Sequence, residues 1–415
     1  MSNKSLLTAF SMAVLFSGLV LVGTANFSSV RASEEVMGVM SSNTTWTAAN
    51  SPYTLTGNIL VNNGVTLTIE AGTTVNLNTL YIMVNGTLIA RGNTSGKICF
   101  QTGQYAGQII FADYSTDWNE QTGSGSIIDN AFLNRTEITI NGGSPKISNN
   151  LLERGAINVE SGSPVISGNN FGPGGITVND GSPTILNNDI DGHISDASGY
   201  WTMTTITVNG GSPIISKNTI HNADIGVEIK QGNPYVYDNN ITICTTGIRA
   251  NVGIIERNYI EEIKTGNATI KNNTIGQIDI EGSSSPTIIY NNFFGGNSIF
   301  MRSSEDINVA NNWWGTNDVG EIDQRIWDYN DDYNLGKVNY IPFLTEPNAQ
   351  AMPDPNAPTP TSTATPQPTD SPSTSPTPSQ EPQQTLQFEV IVGVAIVAIV
   401  LGAALGLLIY LIKRK

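Results

Sequence analysis

Between Gly125 and Trp314, apolar and polar positions recur in a unit of about nineteen residues. Gly143-Ser144-Pro145-Lys146-Ile147-Ser148-Asn149-Asn150, Gly162-Ser163-Pro164-Val165-Ile166-Ser167-Gly168-Asn169, Gly181-Ser182-Pro183-Thr184-Ile185-Leu186-Asn187-Asn188 and Gly211-Ser212-Pro213-Ile214-Ile215-Ser216-Lys217-Asn218 are versions of one sentence. Aligned on the second asparagine, the series reads Asn130, Asn150, Asn169, Asn188, Asn218, Asn239, Asn258, Asn273, Asn291 and Asn312. Three residues before each lies an Ile or Val, from Ile127 to Val309, and two residues after lies another apolar residue, from Phe132 to Trp314. A second short segment in most units alternates apolar and polar, as in Ile138-x-Ile140, Ile157-x-Val159 and Ile206-x-Val208. Period-two alternation buries one face of a strand, and Gly, Asn and Pro supply the turns. A short repeat of this kind predicts a coil of parallel strands, each turn stacked on the last. The asparagines then predict a structural ladder, each amide bonding to its equivalents in neighbouring turns and so satisfying groups buried at an inward corner.

The two ends of the chain read differently. Residues 1–32 place Lys4 before an apolar run from Leu6 to Gly23 and end in Val30-Arg31-Ala32, which predicts a secretory signal peptide cut after Ala32. Val390 to Ile412 is an unbroken apolar run followed by Lys413-Arg414-Lys415. Its length gives about 35 Å of helix, enough to span a bilayer, and the basic tail places residues 413–415 in the cytoplasm. Residues 347–387 are rich in Pro, Thr, Ser and Gln and predict an extended stalk that holds the folded part away from the membrane-spanning helix of residues 388–412. The expected protein is therefore a single-pass cell-surface protein whose folded part lies outside.

Composition sharpens that picture. Lys and Arg number 19 against 35 Asp and Glu, a formal net charge of −16, which argues against a nucleic-acid partner. Only 13% of residues are charged, whereas there are 41 Gly and 46 Asn, a turn-rich composition. The two cysteines, Cys99 and Cys244, have no metal-ligand spacing and read as small buried apolar residues.

The Gly-Ser-Pro-x-Ile-x-x-Asn units resemble the right-handed parallel β-helix repeat proteins of the carbohydrate-binding and sugar-hydrolase type on archaeal and bacterial surfaces, with a pectate-lyase-like fold. Gly64-Val65-Thr66-Leu67-Thr68-Ile69, Val84-Asn85-Gly86-Thr87-Leu88-Ile89 and Asn311-Asn312-Trp313-Trp314-Gly315-Thr316 carry the same resemblance, which covers roughly residues 45–346. It implies an all-β solenoid of about ten ladder coils over residues 125–316. Residues 33–124 would form a starting cap with the first coils, with its β-rich part at 45–90. A closing cap over 317–346 would include a short amphipathic helix at 319–328, where Ile322 and Ile326 lie four apart.

Relatives of that fold include Ca²⁺-dependent lyases and hydrolases built on Asp and His, and only two histidines occur here. The densest polar group is Asp189-Ile190-Asp191-Gly192-His193 with Asp196. Asp189 and Asp191 flank an inward Ile190, so about 6.6 Å of strand separates them, a spacing that suits an inverting carboxylate pair or a Ca²⁺ site. The register stacks Asp191 under His221, then Thr242 and Glu261. Asp189, Asp191 and His221 are the candidate catalytic residues and Asp189, Asp191 and Asp196 the candidate metal ligands; the same residue types also suit solvent-facing turns. The long unit carries an insertion from Ser195 to Thr204 with Tyr200 and Trp201, whose rings suit a sugar, and Tyr235 and Tyr237 would extend that platform. Glu228 and Arg249 stack as an exposed ion pair, and Asp331-Asp332 lie in the closing segment. Glycosylation sequons begin at Asn43, Asn85, Asn93, Asn134, Asn240, Asn267 and Asn272. Three functions remain open at this point: binding of envelope or environmental polysaccharide, cleavage of polysaccharide, and a rigid spacer.

Overall fold

The computed structural model describes residues 33–196 and 199–352. The chain is nearly all β, wound as a solenoid of parallel strands and compatible with a parallel β-helix. Each turn contributes three short strands. Among the described residues, the first stack has twelve strands, from Thr44–Trp46 to Thr287–Ile289. The second includes Ala131–Asn134, Leu151–Glu153, Asn170–Phe171, Asp189–Asp191 and Thr219–His221. The third includes Thr136–Asn141, Ala156–Ser161, Gly175–Val178 and Thr204–Val208. Longer strands such as Tyr259–Thr265 run through both the second and the third stack.

Alternation along each strand sets the core. Ile147, Ile166, Ile185 and Ile215 pair in register in the first stack, as Ile157, Ile176, Ile206 and Val227 do in the third, and all are 0–1% exposed. The glycine of the Gly-Ser-Pro turn is set by stacking: Gly162, Gly181, Gly211 and Gly232 have φ of +75 to +96°. A Cβ on any of them would drive into the carbonyl of the glycine one turn below.

The corner between the first and second stacks carries the asparagine ladder. Asn150, Asn169, Asn188, Asn218, Asn239, Asn258, Asn273, Asn291 and Asn312 are 0–2% exposed. Each Nδ2 from Asn150 to Asn291 donates to the next rung's Oδ1 at 2.9–3.0 Å and to a strand carbonyl of the preceding turn. The residue before each rung, from Asn149 to Asn311, has φ between +51 and +65°, the left-handed turn that aims the next side chain inward.

Asn130 corrects the sequence reading. It is itself the left-handed residue, with φ +52°, and its amide donates to Asp129 Oδ2 at 2.9 Å. Ala131 occupies the rung position, its N–H donating to Asn150 Oδ1 at 2.9 Å. The register of that unit therefore runs one residue later than the asparagines suggest, with Ile128 paired to Ile147 and Leu133 to Leu152. Ile127 and Phe132 consequently point outward; Ile127 pairs between Ile89 and Lys146 in the first stack, where Trp118 packs against Arg91 and Lys146 at 5.1 and 5.3 Å.

The ends also differ from expectation. Residues 45–90 form no separate cap, since Thr44–Trp46, Thr66–Ile69 and Thr87–Arg91 already stack in the first sheet. Glu34–Met40 pairs with Tyr53–Val61 beneath them. At the far end only Val319–Asp323 is helical; Asp318 caps it by accepting from Gly320 N and Glu321 N, and Ile322 is buried. Ile326–Trp327 is instead a strand paired with Ile299–Phe300, because the third stack needs a further strand at that height. Cys99 and Cys244 are free and half-buried, each on an outward or corner position, in place of the full burial expected. No helix among the described residues is long and apolar enough to cross a membrane. Residues 347–352, expected in the extended stalk, instead pack on the coil, where Asn348 bonds to Asn292 and Ala351 is buried; the rest of the expected stalk, the signal peptide, the membrane span and the cytoplasmic tail lie outside the described residues.

Candidate functional site

The second corner, between the second and third stacks, is where the coil becomes irregular. A 30-residue step separates Asn188 from Asn218, and the extra residues form an antiparallel hairpin, His193–Asp196 with Gly199–Thr202. The hairpin leaves the coil directly after Gly192, whose neighbour Ala223 in the next turn leaves no room for a side chain. Asp196, Tyr200 and Trp201 belong to the hairpin, and their side chains lie outside the described part of the structure.

At the hairpin's root the parallel register brings Asp189, Asp191 and His221 together, with Asp191 opposite His221. His221 Nε2 lies 3.1 Å from Asp189 Oδ1, and Nδ1 lies 3.9 Å from Asp191 Oδ1. Asn222 locks the group: its amide is 2.8 Å from His221 Nδ1 and donates to Asp191 Oδ1 at 3.1 Å. With the Asn222 amide donating to Nδ1, the proton of neutral His221 sits on Nε2 and is donated to Asp189. His193 N also donates to Asp191 Oδ1, at 3.0 Å, which ties the hairpin to the cluster.

This arrangement limits the chemistry. A pair of glycosidase carboxylates needs the space between them for the sugar and its water. Here the imidazole fills that space, with one nitrogen near an oxygen of each carboxylate. The same contacts bear on Ca²⁺, which prefers several free oxygen ligands. Asp191 Oδ1 already accepts from two N–H groups, and His221 offers Asp189 Oδ1 a donor, so both carboxylates face N–H groups in this arrangement. Among the described residues, no group of three or more His, Cys, Asp or Glu is placed to hold a metal.

Thr242 follows His221 in register, and Glu261 lies one turn further on, where its Oε2 accepts from Ile243 N at 2.9 Å. Sequence reasoning missed two residues here. Asn222 and Ile243 occupy the corner above the hairpin in left-handed conformations, φ +56 and +55°. Asparagine tolerates this; a β-branched residue is strained by it, and Ile243 is 68% exposed. An Asn-Ala pair after His221 is a legible turn signal, whereas nothing in Thr242-Ile243-Cys244 announces a strained turn.

Tyr235 and Tyr237 do not join this site. They belong to the first stack, paired with Ile214–Ser216 and Ile254–Glu256, while the hairpin leaves between the second and third. Their rings contact each other at 4.6 Å; Tyr235 donates to Glu256 Oε2 at 2.6 Å, and Arg257 lies 5.6 Å from the Tyr237 ring. Glu228 and Arg249 are opposite one another on the third stack, 4.0 Å apart. Asp331 and Asp332 serve the closing loop: Asp331 Oδ2 accepts from Asp328 N, and Asp332 Oδ1 from Asn334 N. Of the sequon asparagines, Asn43 and Asn93 are exposed, whereas the Asn272 amide is engaged by Glu256 and Asn348. No family model, curated protein or solved structure matches the chain.

Proposed function

We propose that the protein is a membrane-anchored cell-surface receptor for polysaccharide, presenting a right-handed parallel β-helix on a Pro/Thr/Ser stalk. The reading rests on one observation. At the corner that varies from turn to turn, a hairpin carrying Tyr200 and Trp201 in its sequence leaves the coil beside a half-buried to exposed set of hydrogen-bonding groups, Asp189, His221, Asn222 and Asp191. Protruding loops on rigid scaffolds recognise ligands, and aromatic rings stack on sugars while carboxylates and amides bond to hydroxyls. Cleavage after Ala32 would leave Glu34–Met40, the first strand, intact.

The test incubates the full chain in detergent with a panel of polysaccharides, with and without Ca²⁺. Binding, new reducing ends and unsaturated-uronate absorbance are followed together. Binding without product, lost in Tyr200→Ala/Trp201→Ala, is the expected result. Product that appears with wild type and vanishes in Asp191→Asn would make the cluster an active site. Absence of both would leave a spacer.

A further inference from the structure

We infer that Phe294 forms a second sugar-stacking contact on the same face as the hairpin, so that a neutral polysaccharide chain lies along the coil axis between the two. This inference rests on the binding reading above and names the ligand class and its direction.

Successive outward positions on the second stack carry Asp191, His221, Thr242, Glu261, Gly276 and Phe294, each following the buried apolar residue of its turn. Phe294 is 47% exposed, and its ring lies flat on Tyr259, with centroids 5.2 Å apart and planes 8° apart. Gly276, between them in the stack, adds no side chain, so Phe294 can lie across Tyr259 and present its other face. Beside it, a cleft is lined by Trp313, Asn292, Asn348 and Pro347. The cleft wall is held rigid. Asn348 N donates to Asn292 Oδ1 at 2.8 Å, Asn292 Nδ2 donates back to Asn348 O at 3.0 Å, and Thr274 Oγ1 donates to Met352 O. A flat, backed aromatic ring beside fixed amides matches the two faces of a pyranose, one apolar and one rimmed with hydroxyls.

Spacing and charge select the ligand. Phe294 lies four strand steps above His221, about 19 Å at the usual strand separation, the reach of a short oligosaccharide. Across that span the outward positions of the second stack hold Asp189, Asp191 and Glu261 and no Lys or Arg. Such a strip repels polyuronates and sulfated glycans and admits an uncharged, hydroxyl-rich chain.

The experiment titrates the full chain in detergent with neutral β-linked gluco-, manno- and N-acetylgluco-oligosaccharides, from disaccharide to octasaccharide, and with oligouronates of the same lengths. Wild-type affinity should rise with length and then level off. Phe294→Ala should leave the disaccharide unaffected and weaken the octasaccharide about tenfold. Phe294→Leu, which keeps apolar bulk without a ring, should behave the same way, and Phe294→Trp should restore the rise. Trp201→Ala should weaken all lengths. Octasaccharide affinity that is unchanged in both Phe294→Ala and Phe294→Leu overturns the inference, as does wild-type binding confined to polyuronates, and either result leaves the hairpin reading standing. Failure of every glycan to bind sinks both.

Discussion

Most turns of the solenoid have two corners flanking the second strand, and the two obey opposite rules. The first is buried and repeats the same device nine times from Asn150 to Asn312, one left-handed residue followed by one asparagine. The second is exposed and changes at almost every turn: Arg135 and Arg154 at φ +53 and +55°, then a hairpin, then Asn222 and Ile243. A buried corner must satisfy its polar groups identically each time, because an unpaired amide inside the coil is costly. An exposed corner has water to satisfy it and is free to vary. The candidate site lies at the corner that varies.

The largest effect that separates the corners is expected from Asn239→Ala. Its side chain donates to Ile215 O, Tyr237 O and Asn258 Oδ1 and accepts from Asn218 N and Nδ2, all at 2.9–3.0 Å. Truncation leaves several of these groups buried and unpaired, which should cost on the order of 4 kcal/mol. Urea unfolding would measure it. The matching change at the second corner, Asn222→Ala, should cost less than a quarter as much, since its partners are open to water. Equal costs at both corners would end the distinction.

The same contrast explains what the sequence could disclose. Ile147, Ile166 and Ile185 announce themselves because each sits in an identical environment, so the repeat makes the core readable. Asn130 misled because the left-handed position and the rung position both favour asparagine, and only Ala131's pairing with Asn150 separates them. Asp191 beneath His221 followed from counting along the units on either side of the hairpin. The role of Asn222, the imidazole between the carboxylates and the left-handed Ile243 depend on side-chain rotamers and corner dihedrals, to which periodicity is blind. For Tyr235 and Tyr237 the outward phase alone suggests the hairpin's platform, whereas the ladder register, with Val236 three residues before Asn239 as Ile215 is before Asn218, places them in the first stack.

Glu256 sharpens the comparison through pH. It closes a first-stack strand just before the Arg257-Asn258 corner and is 9% exposed. Burial acts to raise its pKa, but hydrogen bonds from Tyr235 and Asn272 and the charge of Lys271 outweigh it and leave the carboxyl below its usual range. A lowered folded pKa stabilises above the unfolded value and loses that contribution as pH falls through the folded one. Glu256→Gln should therefore cost about 2 kcal/mol at neutral pH and flatten the acid limb of the stability profile. An acid limb identical to wild type would remove Glu256 from the account.

At the second corner, Ile243→Asn should stabilise the protein by about 1 kcal/mol, because asparagine relieves the left-handed strain and little burial is lost. A higher urea midpoint would show that the fold does not ask for isoleucine there. Weaker glycan binding in the same variant would show that the site does.

The smallest expected effect is alkaline and belongs to Cys244, the residue after that strained isoleucine. Burial first, and then the nearby Glu261 carboxylate, push its thiol up to about 11, against a lowering backbone contact from Ala223. A raised folded pKa keeps its stabilising contribution below the unfolded value, about 8.5 to 9, and loses it as pH climbs through about 11. The first corner should thus weaken in acid and the second in base. Cys244→Ala should leave neutral stability nearly unchanged and reduce the fall in urea midpoint between pH 8.5 and 11. Alkylation of Cys244 in the native protein should be correspondingly slow at pH 8, since the thiolate is the nucleophile. Rapid native alkylation, at the rate of the unfolded chain, would mean that the second corner opens readily, and the contrast between the corners would then be one of dynamics as well as of packing.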